Sequence, residues 1–351
     1  MRLMRPLRAV WKGWGRGHAS GEPGLDEAER TYRHIWRHVV RSSERIYPLK
    51  RGQPTVLLLQ MAKVASTSMR SALSARGLNV LHRHALSPAR QHESLSHLLA
   101  AKPTSALVRV NLRSHIHDVA VHALVRWYRD HKQYNGHKFK VIALTRDPVT
   151  HYPSAFVHRR AGVMPAIRSW HRSAQTTSEQ SAAEAEILGA FLRELAGIIA
   201  EGRPSAGASG CERCLALAQE RWPEHPVVAG ELAALLSPLT WFHREITPLL
   251  GVDAFAMSTL REHGWTMRSN DWVDVLVLKF EQLPWLVPQI QRFCGLSELE
   301  LPRRNVTSKK AGAAEIAAAM QSFLESPDGR TCARELRTSP YGRACGYDRL
   351  P

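Results

Sequence analysis

The chain has 351 residues, of which 44% are hydrophobic, and its formal net charge is +17 at pH 7. This length and apolar content are sufficient for one substantial α/β core with helical insertions. The high positive charge indicates an anionic partner. The sequence disfavours nucleic acid as that partner, because it contains no zinc-finger spacing, no RNA-recognition signature and no long basic helix. It also contains no run of roughly 20 apolar residues, the length that a transmembrane helix needs.

Residues 1–24 mix basic with apolar side chains and then become rich in glycine and proline. This composition predicts a basic, disordered tail that lacks the long apolar core of a secretion signal. The alternative is a short helix lying on anionic lipid, because tryptophan and arginine suit the membrane boundary. Residues 25–351 are then expected to form a single α/β domain.

A buried strand, a turn of small residues and a helix start follow one another in residues 55–73, T-V-L-L-L-Q-M-A-K-V-A-S-T-S-M-R-S-A-L. The apolar run at 56–59 is typical of a parallel strand that is covered on both faces. Small residues after it let backbone N–H groups approach a ligand, and Ser and Thr are expected to cap the helix. A helix start collects unpaired N–H donors, and Lys63 adds a positive charge. The segment therefore predicts a phosphate or sulfate site.

The same segment lacks the glycines and the Lys-Ser/Thr pair of a nucleotide P-loop. Its K-V-x-S-T-S form instead resembles the 5′-phosphosulfate loop of sulfotransferases that use 3′-phosphoadenosine 5′-phosphosulfate (PAPS). The form is that of carbohydrate 2-O-sulfotransferases and of bacterial capsular polysaccharide synthesis proteins. The resemblance implies a P-loop-like sulfotransferase fold, a parallel sheet flanked by helices, and it places donor binding on Lys63, Val64, Ala65, Ser66, Thr67 and Ser68. An ordinary strand-to-helix turn is the alternative.

A second short strand is expected at 78–81, with His82 and His84 at its end and both imidazoles on one face. Sulfuryl transfer to an alcohol needs a base for the hydroxyl proton, and imidazole has a suitable pKa. In many sulfotransferases this base follows the second strand, which implies His84 with His82 beside it. In the 2-O-sulfotransferases it is the first His of an H-x-H motif, which implies His115. We favour His84, then His115.

A further strand and turn, which form the second motif, are expected at residues 140–156, K-V-I-A-L-T-R-D-P-V-T-H-Y-P-S-A-F. Pro148 suits the first position of a helix, and Asp147 suits its cap. The eight-residue spacing from Arg146 to Ser154 resembles the 3′-phosphate site of the same sulfotransferases. Arginine offers a planar fork that binds phosphate through two hydrogen bonds, and a serine two helical turns later can reach the same anion. The two motifs in this order carry the resemblance.

Three later segments carry weaker signals. Residues 162–250 show helical periodicity and predict a helical insertion. Residues 274–283 resemble the late strand of the same families, which ends in Glu and Leu. Lys309 and Lys310 resemble a basic segment that closes over the 3′-phosphate in related enzymes. A solvated lysine pair at a helix start is the alternative.

Five cysteines are an odd number and do not describe a disulfide framework. Cys211 and Cys214 form one C-x-x-C, which we place inside a Gly/Ser/Pro-rich segment (202–210) that separates two helical stretches. One such pair is half a zinc site at most. We expect reduced thiols that bind no metal, and hence a cytoplasmic protein. Peripheral contact with the inner face of an anionic membrane through the basic tail is compatible with this location.

The resemblance implies an enzyme that moves a sulfuryl group from PAPS, its donor substrate, to a hydroxyl of a capsular or cell-surface glycan. The nucleotide donor and the glycan acceptor would be its partners, and no metal would be required. Two alternatives remain open. One is a P-loop-like kinase that uses ATP and Mg²⁺ on a small molecule or glycan. The other is a non-catalytic, anion-binding protein of polysaccharide assembly.

Overall fold

The computed structural model describes residues 53–61, 64–87, 117–118, 120–122, 124–126, 128–130, 138–174, 183–255, 259–302 and 312–350. Several sequence predictions lie outside these residues, namely those for the tail at 1–24 and for Lys63, His115, Lys309 and Lys310. The remaining site predictions all fall on described residues.

The described part of the chain forms a five-stranded sheet. Its strands are β1 (Thr55–Leu59), β2 (Asn79–Arg83), β3 (Phe139–Thr145), β4 (Trp265–Ser269) and β5 (Val273–Lys279). They lie in the order β2-β1-β3-β5-β4. Four strands are parallel, and β4 pairs with β5 in the antiparallel direction at one edge. The expected α/β class is confirmed, but the sheet is mixed at this edge rather than wholly parallel.

Helices flank the sheet and form most of the later chain. They are α1 (Ser66–Ala75), α2 (Pro148–Ala174), α3 (Glu184–Gly202), α4 (Ala208–Arg221), α5 (Pro226–Leu250), α6 (Thr259–His263), α7 (Val287–Cys294), α8 (Ala313–Glu325), α9 (Pro327–Arg337) and α10 (Pro340–Cys345). Short 3₁₀ turns occur at Pro204–Ala206, Phe280–Leu286 and Tyr347–Arg349. Residues within 117–130 are also helical where the structure describes them. None of the described helices is long and apolar enough to span a membrane.

The strands of the sheet centre are buried because they are apolar on both faces. Six of the seven residues of β3 are buried, and the exception is Lys140. In β1, all four residues that follow Thr55 are buried. A strand covered by helices on both sides has no polar face, which explains the continuous apolar runs in the sequence.

Three sequence predictions need correction in detail. The second strand extends to Arg83, because it pairs with β1 along its whole length, so His82 lies inside it. The late strand ends at Lys279, and the following residues turn into a 3₁₀ helix. The two cysteines of the C-x-x-C are buried in α4 and do not lie in a loop. Gly210 in the first turn of α4 packs on the backbone of Arg203, where a Cβ would lie 2.1 Å from the carbonyl oxygen, so this close approach requires glycine.

The order of the strands predicts a crevice at the carboxyl ends of β1 and β3. From β1 the chain moves outward to β2 and then crosses to β3 on the other side of β1. Helices that follow two such strands leave the sheet in opposite directions, so the carboxyl ends of β1 and β3 form a topological switch point. Ligands of α/β proteins bind in this crevice. Both sequence motifs begin at these two strand ends.

Candidate anion-binding site

The first motif forms a turn in which the backbone N–H groups are concentrated. Ala65, the residue before α1, has the left-handed conformation (φ 60°, ψ 19°), and its side chain offers no capping hydrogen bond. The first backbone bond into the helix is from the Met69 N–H to the Ala65 carbonyl at 3.1 Å. The N–H groups of the preceding first-turn residues have no acceptor within the helix, as at any helix start. A left-handed residue followed by right-handed ones gathers such N–H groups into an anion-binding concavity.

The side chains of this turn do not act as the sequence predicted. The expected Ser/Thr cap is wrong, because α1 begins at Ser66 itself and the capping position is occupied by alanine, which has no acceptor. Ser66 and Ser68 are buried and Thr67 is exposed. Val64 is fully buried and anchors the turn in the core. The turn is thus held by apolar packing, while the backbone at the helix start provides the donors.

His84 lies directly after β2 at the same edge of the sheet. Its Nδ1 is 2.9 Å from the carbonyl oxygen of Gln60, the first residue after β1. A carbonyl only accepts, so Nδ1 carries the proton and Nε2 keeps its lone pair. The rings of His82 and His84 are 4.7 Å apart between centroids, which confirms that both lie on one face. His84 is exposed, and its Nδ1 bond fixes the ring so that Nε2 is the nitrogen that can accept a proton.

His82 differs from His84 in its surroundings. Burial, with smaller contributions from the charges of His84, Arg70 and Arg83, lowers the pKa of His82 to about 3. Its Nε2 has no hydrogen-bond partner among the described residues. A neutral imidazole beside His84 adds no positive charge that would oppose protonation of His84. The geometry therefore favours His84 over His82 as a proton acceptor.

A network that the sequence did not predict holds the segment after β2. The indole N–H of Trp241 in α5 donates to the carbonyl of His84 at 2.8 Å. One turn later, Glu245 Oε2 accepts from the backbone N–H groups of residues 86 and 87 at 2.6 and 2.7 Å. The Nδ1–H of His122 donates to the carbonyl of residue 86 at 2.7 Å. Trp241 and Glu245 carry polar groups and lie four residues apart on the buried face of an apolar helix. This pattern is the sequence signal that could have revealed the network.

The second motif forms the turn between β3 and α2. Pro148 is the first residue of α2, and Asp147 Oδ1 accepts from the Val149 N–H at 3.2 Å, so both helix-start predictions are confirmed. The guanidinium carbon of Arg146 lies 4.6 Å from the centre of the Phe280 ring. Burial lowers the pKa of Arg146, and Glu281 and Asp147 partly oppose this effect. The side chain remains a cation at neutral pH, as arginine does in proteins.

The structure brings most of the predicted site residues to one edge of the sheet. The start of α1 and the Arg146 turn follow neighbouring strands, β1 and β3, and His84 follows β2 on the other side of β1. Ser154 lies in the second turn of α2, half-buried. The position of Lys63, expected between β1 and α1, is outside the described residues, as are His115, Lys309 and Lys310.

The five cysteines are buried, unpaired thiols within the part of the chain that the structure describes. Burial raises the pKa of Cys211 to about 11 and that of Cys214 to about 12, so both remain protonated at neutral pH. Within the described residues, no three His, Cys, Asp or Glu side chains are grouped so that they could hold a metal ion.

No protein-family model, curated protein or solved structure matches this chain.

Proposed function

We propose that the chain is a PAPS-dependent sulfotransferase with a P-loop-like fold, and that it transfers a sulfuryl group to a carbohydrate hydroxyl. One observation carries the proposal. The two motifs that resemble the phosphosulfate and 3′-phosphate sites follow β1 and β3, the strands on either side of the switch point. An imidazole oriented as a base lies at the same edge.

The residues of the site suit the two anionic ends of this donor. The N–H groups at the start of α1 and the left-handed Ala65 favour the sulfuryl and 5′-phosphate oxygens. Arg146 offers a planar fork to the 3′-phosphate, and Ser154 adds a hydroxyl from the same helix region. Lys63 would place a further positive charge at the phosphosulfate.

The chemistry requires a proton acceptor and stabilisation of a leaving phosphate. The acceptor hydroxyl oxygen attacks sulfur, and the bond between sulfur and the bridging oxygen of the 5′-phosphate breaks. The hydroxyl proton passes to His84 Nε2, and adenosine 3′,5′-bisphosphate leaves. Preorganised N–H donors and Lys63 stabilise the negative charge that develops on the leaving oxygens.

Transfer of radiolabelled sulfur from PAPS to polysaccharide acceptors tests the proposal directly. We expect label in the polysaccharide with the parent chain and its loss with His84→Ala. His263→Ala is the matched control, because His263 is exposed in α6 and precedes β4, which lies at the opposite side of the sheet from β2 and His84. A chain that binds adenosine 3′,5′-bisphosphate but transfers no sulfur to any acceptor hydroxyl would contradict the catalytic part of the proposal.

A further inference from the structure

Three consecutive residues of the Arg146 turn are each contacted by a different side chain from the C-terminal part of the chain. Arg337 is the last residue of α9, Tyr341 lies in α10, and Tyr347 begins the final 3₁₀ turn. In the order of the turn, Tyr347 contacts Thr145, Tyr341 contacts Arg146 and Arg337 contacts Asp147. We call residues 337–347 the C-terminal clamp.

The central contact is made by a single phenol to both backbone polar groups of one residue, Arg146. The Tyr341 hydroxyl donates to the carbonyl of Arg146 at 2.8 Å and accepts from its N–H at 3.0 Å. β3 ends one residue earlier, and its ladder with β5 ends at the pair of Thr145 and Lys279. Tyr341 therefore supplies the hydrogen bonds that a neighbouring strand no longer provides, and buried backbone groups require such partners.

The outer contacts fix the residues on either side. Arg337 donates to both carboxylate oxygens of Asp147, at 2.9 and 3.4 Å. Asp147 is 1% exposed, so the pair is shielded from water and from salt screening. The Tyr347 hydroxyl lies 3.1 Å from the Thr145 hydroxyl and donates to Glu281 Oε2 at 3.0 Å. Glu281 Oε1 in turn accepts from the Asp147 N–H at 2.8 Å.

The clamp itself is rigidly built. Gly342 packs so tightly on α9 that a Cβ would lie 1.9 Å from the carbonyl oxygen of Arg337, which fixes the corner between α9 and α10. The ring of Tyr341 packs against Phe255 and Phe242, with centroids 5.6 and 6.3 Å apart. A phenol that is locked in this way can hold a backbone turn in one conformation.

From these contacts we infer that the C-terminal clamp positions Arg146 for recognition of an anion, with Tyr341 as the principal positioning residue. The inference rests on the function proposed above in taking the 3′-phosphate of the donor as that anion. The Arg146 guanidinium is a planar fork, and small rotations of its backbone displace the fork relative to a bound phosphate. Groups that fix such angles contribute to binding without touching the ligand.

Tyr341→Phe tests the inference by removing the hydroxyl and leaving the ring. We expect the affinity for adenosine 3′,5′-bisphosphate to fall about tenfold, whereas the affinity for adenosine 5′-monophosphate, which lacks the 3′-phosphate, changes less than about twofold. In sulfuryl transfer, the KM for PAPS should rise with kcat nearly unchanged, because the base and the acceptor lie elsewhere. Arg337→Lys should also lower the affinity for the bisphosphate relative to that for the monophosphate, but by a smaller factor.

Tyr152→Phe is the matched control. Tyr152 is a buried tyrosine whose hydroxyl donates to Glu231 in α5, so this variant also loses one buried hydrogen bond, but its partner is neither Arg146 nor a residue of the clamp. An equal loss of the bisphosphate preference in Tyr152→Phe would show a general loss of stability and would overturn the inference. An unchanged preference in Tyr341→Phe would overturn it as well.

Hydrogen exchange provides a readout that does not depend on the ligand. The Arg146 amide should exchange at least about tenfold faster in Tyr341→Phe, while amides in the middle of β3 remain protected. If the parent chain shows no preference for the 3′,5′-bisphosphate, the proposed function and the role in 3′-phosphate recognition fail together. In that case exchange alone decides whether the clamp holds the turn, and an unchanged Arg146 rate in both clamp variants would remove that role too.

Discussion

The two cations of the proposed donor site should have separable roles at the residue scale. Arg146→Ala should chiefly weaken binding of adenosine 3′,5′-bisphosphate, because the guanidinium is assigned to the 3′-phosphate. Lys63→Ala should lower kcat more than donor affinity, because this charge is assigned to the breaking bond. Calorimetry and steady-state kinetics on both variants check the division. If Arg146→Ala bound the bisphosphate as well as the parent, the assignment of the second motif would be wrong.

The choice of base can also be decided at this scale. His84→Ala should lower the transfer rate by roughly 10²–10⁴, the usual cost of losing a general base, while donor binding stays intact. His82→Ala should have a milder effect, because His82 is the neutral, more buried neighbour. Single-turnover rates at saturating donor are the measurement. A near-parental rate in both variants, with an inactive His115→Ala, would establish the 2-O-sulfotransferase arrangement instead.

His82 should make folding stability depend on pH. Burial lowers its folded-state pKa to about 3 from 6.5, so the unfolded chain binds more protons in the interval between them. The contribution of His82 is therefore complete above the unfolded pKa, and stability decreases as the pH falls from about 6.5 towards 3. His82→Asn should reduce this decrease, measured by urea unfolding at several pH values.

Asp118 also titrates in this pH range and has to be considered when the parent is compared with His82→Asn. Burial raises the pKa of Asp118 to about 7, so its contribution has the opposite sign, decreasing as the pH rises, but it is present in both chains and cancels in their difference. His263→Asn, at an exposed position, is the control. Parallel stability curves for the parent and His82→Asn would show that His82 titrates as a solvated imidazole does.

At the scale of elements, α5 is the part that holds His84, the proposed base, through Trp241. Trp241→Phe keeps an aromatic ring but removes the indole N–H that donates to the His84 carbonyl. We expect transfer to slow several-fold, with the donor affinity unchanged, because the position of the imidazole becomes less defined. Trp222→Phe is the control, since Trp222 is equally buried but packs on Trp170, away from the strand ends. An equal slowing in both variants would indicate a loss of packing and not of orientation.

The elements of the site differ in how far the sequence predicts them. The apolar runs of β1 and β3 and the helix start at Pro148 follow from local patterns, and these predictions are confirmed. The edge strand β4 was not predicted, although Asn270 forms the turn before β5 by accepting from two backbone N–H groups. A five-residue strand with mixed polarity carries too weak a period to stand out.

Long-range contacts explain what the sequence could not show. The partners of the Arg146 turn come from residues about 190 positions later, as the separation of 195 between Tyr341 and Arg146 illustrates. Local propensity contains no information on such pairs, and an isolated Tyr or Arg near a C-terminus is usually exposed. The network of Trp241 and Glu245 was missed for the same reason. Sequence patterns thus indicate which turns are candidates for anion binding, but not which elements hold them in place.

At the scale of the whole molecule, the helices α2, α5 and α10 pack together beside the proposed site at the carboxyl edge of the sheet. α5 packs on α2, and α10 packs on α5. α5 and α10 each bond to a residue that follows a strand, through Trp241 to His84 and through Tyr341 to Arg146. The formal charge of +17 supplies a long-range attraction for an anionic donor or glycan. Such attraction acts on any anion, so specificity for one nucleotide has to come from the two motifs.

The central claim is that the crevice between β1 and β3 recognises a nucleotide with phosphates on both the 3′ and 5′ positions. Isothermal titration of the full chain with adenosine 3′,5′-bisphosphate, and separately with ATP plus Mg²⁺, tests it most directly. We predict saturable binding of the bisphosphate, weakened by Arg146→Ala, and no comparable binding of ATP with Mg²⁺. Binding of ATP with Mg²⁺ in preference to the bisphosphate would favour a kinase and contradict the account.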